Sequence, residues 1–292
     1  MILVHGGAGL VAPERHDRLR AGVRAAAAAG KALLDRGGTA LDAVVAAVRV
    51  LEDDPEFGAG VGSALTRDGT VETCASVMDG ARKKAGAVAA VQDLAAPVIV
   101  ARAVLEIGEH VMLAGPAAQR YAAEIGMGAA PAGSLVTQRS AAQHREAQQG
   151  GAARLANEGG GVGAVARDAK GGFAAATSTG GTIYRRAGCI DDAAVPGIGS
   201  WADDEVAVST SGGEALFKVA LAHEIAMRVK LGAGLRKAVK ESLHDLQKLA
   251  PDGFAGAIVV SKDAWLAMQI GPAMPVAWID AMGPNDAIGF PI

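Results

Sequence analysis

Short apolar segments of this chain follow one another in pairs, and a short turn separates the two members of each pair. Because the chain reverses at such a turn, the two strands of a pair are expected to lie antiparallel. The predicted pairs are 61–65 with 71–77, 162–166 with 173–177, and 257–261 with 264–270, the last of which is predicted to be the final hairpin of the chain. Paired strands of this kind favour antiparallel sheets over a doubly wound parallel sheet, whose single strands alternate with single helices.

Longer segments have helical spacing of their apolar residues. Four of these segments form two pairs of helices that are adjacent in the sequence. The predicted helices are 18–35, 40–52, 97–107, 215–231 and 235–249, and further single strands are predicted at 2–4, 86–91 and 206–209. Thr39 is a suitable N-cap for the second helix, and the glycines Gly37 and Gly38 end the first. The order of elements predicts an α+β fold, a four-layer αββα sandwich.

The composition limits how this core is built and which partners the protein has. Hydrophobic residues make up 50% of the chain but aromatic residues only 3%, so the core must consist of closely layered Ala, Val, Leu and Ile. A net charge of −3 argues against nucleic acid as a partner. The longest apolar region, 95–105, contains Arg102 and is too short to span a membrane. Two cysteines, together with an N-terminus without a secretory pattern, predict a cytoplasmic protein.

Residues 134–160 differ in composition from the segments on either side. Gln, Arg, Ala and Gly dominate there, and the glycine-rich points are 148–151 and 158–161. We therefore predict a linker at 134–160, helical at its start, inside a single domain that spans 1–292.

Several blocks of residues resemble, in order, the plant-type asparaginase and isoaspartyl peptidase family of N-terminal-nucleophile hydrolases. They are His5-Gly6-Gly7-Ala8-Gly9, Gly38-Thr39-Ala40-Leu41-Asp42, Val77-Met78-Asp79-Gly80, Val162-Gly163-Ala164-Val165-Ala166 and Thr177-Ser178-Thr179-Gly180-Gly181. By this resemblance, 1–133 corresponds to the family's α-subunit and 161–292 to its β-subunit. The four-layer sandwich is also the fold that the resemblance implies.

The resemblance also implies an activity and a site. Members of the family cut themselves before a threonine, which then hydrolyses the side-chain amide of asparagine or the β-aspartyl bond of isoaspartyl dipeptides. It implies a small amino-acid-like ligand, a homodimer and no organic cofactor. It further implies a structural sodium ion held by backbone carbonyls. The residues of that sodium loop are Leu51, Glu52, Asp54, Phe57, Ala59 and Val61.

The position of the family's threonine, directly before Val162, is occupied here by Gly161. A hydroxyl activated by a base is the nucleophile in such enzymes, and glycine has no side chain to supply one. The sequence therefore predicts that neither self-cleavage nor turnover by the family route takes place.

Other positions of the family's site are partly changed and partly retained. Gly58 stands where an asparagine orients the nucleophile, Cys189 where an arginine holds the substrate carboxylate, and Gly213 where a threonine follows the oxyanion turn. These departures favour natural divergence over an isolated substitution. Positions that match the family are Asp192 for the substrate ammonium, Thr179 beside the nucleophile, and Ser211 and Gly212 at the oxyanion turn.

Three hypotheses about function follow. The chain is a β-aspartyl hydrolase homologue whose activity is lost or altered, a non-catalytic protein that keeps the cleft for a ligand or partner, or a hydrolase of a changed substrate. In the third case Cys189, Thr179 or Ser211 would attack. His5 is interpreted as a structural hydrogen-bonding residue rather than a catalytic one.

Overall fold

A computed structural model describes residues 1–151 and 160–292 of the chain. The strands are β1 (Ile2–His5), β2 (Glu72–Asp79), β3 (Lys84–Gln92), β4 (Met112–Ala114), β5 (Val162–Arg167), β6 (Phe173–Thr179), β7 (Ser200–Ala202), β8 (Val206–Ser211), β9 (Ala255–Ser261), β10 (Trp265–Ile270), β11 (Val276–Asp280) and β12 (Gly283–Ala287). The α-helices are α1 (His16–Asp35), α2 (Ala40–Asp53), α3 (Pro97–Ile107), α4 (Gly115–Glu124), α5 (Gln138–Glu146), α6 (Leu221–Lys230) and α7 (Leu235–Leu249).

The strands form two sheets. The larger has the order β12-β11-β1-β5-β6-β2-β3-β4, and the smaller has the order β10-β9-β8-β7. Within the described ranges every pairing is antiparallel except that of β3 with β4. Strand β1 therefore lies between β11, near the end of the chain, and β5, directly after the candidate nucleophile position.

Helices cover the outer faces of both sheets, and the sheets pack against each other. Apolar side chains of α1, α2 and α3 form one core cluster with the larger sheet. Those of α6 and α7 form a second cluster with the smaller sheet. A third cluster, with Leu3, Val165 and Ile258 among its members, lies between the sheets. The architecture is thus the four-layer αββα sandwich that the sequence predicted.

Small side chains allow the layers to approach closely. Every residue of β6 is buried, and so is every residue of β5 except Arg167. At Gly86 in β3, an added methyl group would overlap the backbone of α3 at Ala101 and Leu105, so the helix lies directly on the strand. This packing explains how a chain with 3% aromatic residues fills its core.

Local signals fix the ends of the helices that the sequence located best. Thr39 and Asp42 form a capping box at the start of α2, because each side chain accepts a hydrogen bond from the other residue's backbone N–H. Helix α3 begins at Pro97 and ends before Gly108, whose φ is 71°. Both helices were predicted at almost these bounds.

Three sequence predictions about elements were wrong. Residues 61–65 form no strand; only Leu65 makes an isolated bridge, to Val71. The helix predicted at 215–231 is a 3-10 turn, Gly213–Lys218, followed by α6, and the two are separated by Ala220 with φ 49°. The hairpin of β9 and β10 is not the last one, since β11 and β12 follow it. The short elements β4 and α4 were not foreseen.

The first part of the predicted linker is packed structure. Leu135, Ser140 and Ala147 are buried, and α5 starts with a capping box at Thr137. The glycine-rich point at 158–161 begins outside the described residues. None of the helices in 1–151 and 160–292 combines the length and hydropathy needed to cross a bilayer.

Candidate active site

A cleft of about 340 Å³ opens where β5 begins. Gly160 and Gly161, the two residues before β5, lie on its wall together with Thr179 at the end of β6. The cleft is lined further by the glycine loop after β1, by the loop around Phe57 and Gly58, and by the turn after β8. The structure therefore brings together most of the residues that the sequence proposed for the site.

Gly161 is packed against the end of β6. A methyl group added there would lie 2.9 Å from the Ser178 carbonyl oxygen, 3.1 Å from Thr179 Cβ and 3.5 Å from Thr179 Oγ1. Residue 161 thus lies beside Thr179, the residue that the resemblance places next to the nucleophile. Gly161 contributes no group that could attack a carbonyl.

Gly160 is held between the glycine loop and the end of β8. A methyl group at Gly160 would collide with Ser211 Oγ, and one at Gly7 would lie 2.7 Å from the Gly160 carbonyl oxygen. Gly7 also has a φ of 96°, which a residue with a side chain rarely adopts. Ser211 Oγ accepts a hydrogen bond from Ala8 N–H at 3.0 Å, so the predicted oxyanion-turn serine has a structural partner.

His5 supports the same loop from inside the sandwich. Its Nδ1 accepts a hydrogen bond from Gly7 N–H at 3.3 Å, so Nε2 carries the proton and donates to Ser209 Oγ at 2.9 Å. Complete burial lowers the pKa of His5 to about 3, which keeps the ring neutral. His5 does not line the cleft.

Besides Gly161, three further glycines at positions inferred from the resemblance, Gly58, Gly212 and Gly213, lie on the cleft wall. At Gly58 an added methyl group would meet only the Gly160 carbonyl oxygen, at 3.5 Å, so a side chain is sterically allowed there. The Gly58 carbonyl accepts a hydrogen bond from Gly180 N–H at 2.6 Å. Gly213 has a φ of 67°, a conformation that favours glycine, whereas Gly212 has extended backbone at φ 163°.

Two adjacent carboxylates, Asp191 and Asp192, form part of the cleft wall and are almost completely buried. Burial, with a contribution from Asp191, raises the pKa of Asp192 to about 8. Burial also raises the pKa of Asp191; the guanidinium of Arg185 opposes this rise, and the carboxylate of Glu214 adds to it. Carboxyl groups in such surroundings are typical of ligand-binding sites.

Cys189 lies beside Glu214, with a distance of 3.3 Å between its Sγ and Glu214 Oε1. Burial and the hydrogen bond to Glu214 raise the pKa of the Cys189 thiol to about 11. The group is therefore a thiol, not a thiolate, at neutral pH, and a thiol is a poor nucleophile.

The predicted sodium loop brings backbone carbonyls close together. A methyl group at Gly62 would lie 2.7 Å from the Pro55 carbonyl oxygen and 2.8 Å from that of Phe57, and one at Gly60 would overlap the Glu52 carbonyl. Closely spaced carbonyl oxygens fit a hard cation such as sodium. The Glu52 and Asp54 carbonyls also accept hydrogen bonds within the loop, from Val61 and Phe57 N–H. The sodium ion remains a prediction.

Sequence reasoning assigned no role to several residues of this cleft. Asp191, Glu214, Arg185, Arg15, Glu56 and Arg139 all line it. Two of these could have been found from the sequence, because 191–192 is a pair of adjacent acidic residues and a glutamate directly follows Gly213. Arg15 and Arg139 come from segments far apart in the chain, and no local pattern links them. Within the described ranges no group of three or more His, Cys, Asp or Glu side chains is arranged to bind a metal.

Comparisons of the sequence with known proteins point to a single family. Residues 1–282 match the family described as asparaginase. The chain is 42% identical to the isoaspartyl peptidase/L-asparaginase of Homo sapiens, over 95% of this chain and 92% of that protein. It is 41% identical to the protein of the same name from Rattus norvegicus, over 95% of this chain and 85% of that protein. It is 38% identical to the isoaspartyl peptidase of Salmonella typhimurium, over 95% and 94%.

Proposed function

We propose that this chain, which belongs to the asparaginase family, is not cut before Gly161 and does not hydrolyse β-aspartyl bonds by the threonine route. We propose further that it keeps the cleft as a binding site for a small amino-acid-like ligand. Its αββα sandwich is that of the N-terminal-nucleophile hydrolases, the class that includes this family.

One observation carries the proposal: residue 161, on the cleft wall beside Thr179, is glycine. Loss of an oriented nucleophile costs roughly 10⁴ to 10⁶ in rate, which leaves no useful turnover. Gly58 and Cys189 support the same conclusion, because neither supplies the amide or the guanidinium that the resemblance expects there.

The third hypothesis, hydrolysis by another nucleophile, has less support. A Cys189 thiol with a pKa of about 11 is not activated. Thr179 Oγ1 accepts a hydrogen bond from Gly181 N–H at 2.9 Å, and Ser211 Oγ accepts one from Ala8 N–H. Among the residues that line the described cleft there is no histidine or lysine to remove a hydroxyl proton, and in the described part of the chain no carboxylate is hydrogen-bonded to either hydroxyl.

The proposal includes a cytoplasmic homodimer. Cys74 and Cys189 are both free thiols, which supports a reducing compartment. The dimer follows from the family resemblance alone, and sedimentation equilibrium of the purified chain tests it.

Intact-mass spectrometry and substrate assays test the loss of cleavage and activity. We expect a single species near 29.2 kDa and background release of ammonia or aspartate from asparagine and isoaspartyl dipeptides. Two fragments separated before Gly161, together with turnover of these substrates, would show that the proposal is wrong.

A rescue variant and its matched control extend this test. We expect Gly161→Thr to restore at most partial cleavage and little activity, because Gly58 and Cys189 remain and the added side chain is crowded by Ser178 and Thr179. The Gly161→Ala variant has the same added Cβ atom but no hydroxyl group, so we expect its chain to remain uncut. Full cleavage and activity in the threonine variant would mean that the rest of the family's machinery is intact.

A further inference from the structure

Two arginines share a single carboxylate on the wall of the cleft. Arg15 lies directly before α1 and Arg139 lies in the first turn of α5, and both line the cleft together with Glu56. Glu56 Oε2 is 3.0 Å from Arg15 Nη2 and 3.7 Å from Arg139 Nη1. Both guanidinium groups are positively charged and only one carboxylate faces them, so one positive charge is left at this part of the wall.

The protein does not use all the N–H donors of these two guanidinium groups, each of which has five. Arg15 donates from Nε and Nη2 to Glu56, and Arg139 donates from Nη1 and Nη2 to the backbone carbonyls of Glu56 and Pro55. Over residues 1–151 and 160–292, Arg15 Nη1 and Arg139 Nε donate to no acceptor. The two side chains are 30% and 29% exposed, so an anion that enters the cleft can reach the remaining donors.

This pair of arginines lies close to the backbone that leads to residue 161. Glu56, which contacts both arginines, comes two residues before Gly58, and two residues of chain span at most about 7 Å. A methyl group added at Gly58 would lie 3.5 Å from the Gly160 carbonyl oxygen. A ligand the size of a dipeptide that lies beside Gly161 can therefore reach the two guanidinium groups with one of its ends.

The part of the cleft around Cys189 is less favourable for a ligand carboxylate. The Cys189 Sγ lies 3.3 Å from the carboxylate of Glu214. The guanidinium of this part belongs to Arg185, which forms an ion pair with Asp191 at 3.8 Å and donates to two backbone carbonyl oxygens. A ligand carboxylate is therefore attracted more strongly to the pair of arginines at the other segment of the wall.

We propose that Arg15 and Arg139 form an anion-binding subsite of the cleft that takes a carboxylate of the ligand. The class of ligand that this subsite favours is an amide of dipeptide size with an acidic group at one end. This inference rests on the proposed function, in which the cleft binds a small amino-acid-like ligand without cutting it, and it adds where the acidic group of that ligand binds.

Isothermal titration calorimetry of the full chain with β-alanylglycine and β-alanylglycinamide tests the subsite. The two probes differ only in the terminal carboxylate, which is an uncharged amide in the second. We expect β-alanylglycine to bind at least about fivefold more tightly, because its carboxylate accepts charge-assisted hydrogen bonds from partly exposed guanidinium groups. Equal or tighter binding of β-alanylglycinamide would overturn the inference.

Two further measurements on the same sample separate this inference from the proposed function. L-Asparagine is titrated as a third ligand, and intact mass and hydrolysis are measured. Binding of asparagine without binding of β-alanylglycine at tens of millimolar would overturn the subsite alone. Binding of none of the three would overturn the subsite and the ligand-binding part of the proposed function together. Cleavage of the chain or turnover would overturn the proposed function, whatever the preference between the two β-alanyl probes.

Variants of the two arginines assign the preference to residues. Arg15→Gln and Arg139→Gln should each weaken binding of β-alanylglycine about threefold to fivefold and leave that of β-alanylglycinamide within about twofold. Arg18→Gln is the matched control, because Arg18 pairs with Asp54 at 2.7 Å and does not line the cleft; neither probe should respond to it. Equal weakening of both probes by an Arg15 or Arg139 variant would show a purely structural role and would contradict the proposal.

A variant of the shared carboxylate should have the opposite effect. Glu56→Gln removes the negative charge that competes with the ligand for both guanidinium groups, so β-alanylglycine should bind about threefold more tightly and β-alanylglycinamide should not. Unchanged or weaker binding of β-alanylglycine would mean that the two arginines serve only the loop around Glu56, and the inference would be wrong. Thermal melting of each variant checks that the fold is intact.

Discussion

Asp192 shows how burial, aided by a neighbouring acid, sets the protonation of one side chain. It is 5% exposed, lies next to the carboxyl group of Asp191, and has no cation hydrogen-bonded to it in the part of the chain that the structure describes. Its carboxyl group therefore holds a proton up to a pKa of about 8, whereas the unfolded chain loses that proton near 3.8. Binding sites often carry such costly groups, because a ligand supplies the missing partner.

Asp192→Asn should make the protein more stable at high pH. Between pH 3.8 and 8 the folded state holds a proton on Asp192 that the unfolded state has lost. The stabilisation by this protonated carboxyl group is therefore present at low pH and is lost as the pH rises through that window. Relative to wild type, the variant should gain on the order of 2 kcal/mol in unfolding free energy between pH 6 and pH 9. Urea unfolding at both pH values measures this. The exposed Asp204→Asn is the control and should show no such gain; a pH-independent difference for Asp192→Asn would refute the argument.

Helix α6 illustrates an element whose start is not a local property. Residues 215–231 have continuous helical spacing, yet the chain turns at Ala220, which takes a left-handed conformation with φ 49° and ψ 57°. Leu216 and Leu221, on either side of the break, are both fully buried in the cluster under the smaller sheet. Packing of both apolar groups against that sheet offsets the cost of the left-handed residue.

Ala220→Gly should therefore stabilise the protein. Glycine adopts the left-handed region without the clash of a Cβ atom, so we expect a gain of about 0.5–1 kcal/mol in unfolding free energy by urea titration. Ala28→Gly provides the matched control, since Ala28 is exposed within α1 and the same change there should cost about 1 kcal/mol. Destabilisation by both changes would mean that the backbone at Ala220 is not strained.

At the scale of the whole molecule, the two sheets are joined by a polar contact as well as by the apolar cluster between them. His5 in the larger sheet donates to Ser209 in the smaller sheet, and Thr177 Oγ1 is 2.8 Å from Ser209 Oγ. Ser76 and Ser200 form a second contact between the sheets, at 2.7 Å. Buried hydroxyls that are fully paired fix how the two layers sit on each other.

Gly163→Ala tests how closely the sheets must approach. A methyl group at Gly163 would overlap Ser209 Oγ and would lie 2.5 Å from His5 Nε2, so it separates the layers or breaks their hydrogen bond. We expect a loss of about 2–3 kcal/mol in unfolding free energy. Gly128→Ala, where the added methyl group meets nothing within 4 Å, should change it by less than about 0.5 kcal/mol. Similar effects of the two changes would show that the sheet contact tolerates extra volume.

Much of the fold could be predicted where the signal is local. Pro97 and Gly108 mark α3, the Thr39 capping box marks α2, and continuous runs of small apolar residues mark β5 and β6. Residues 61–65 have the same apolar character but form no strand. The backbone there packs instead against backbone carbonyls of neighbouring segments at Gly60 and Gly62. Apolar character alone does not separate these outcomes.

The sequence by itself determined most of the element types, the family and the absence of a side chain at residue 161, since each depends on the identity of residues at fixed spacing. Only the tertiary structure decided that β1 pairs between β11 and β5 and that α5 packs beside the cleft. It also decided that Asp191, Asp192 and Glu214 lie on the wall of one cleft and that Arg185 forms an ion pair with Asp191. These facts depend on contacts between residues far apart in the chain, whose energies come from burial and charge in three dimensions rather than from local pattern.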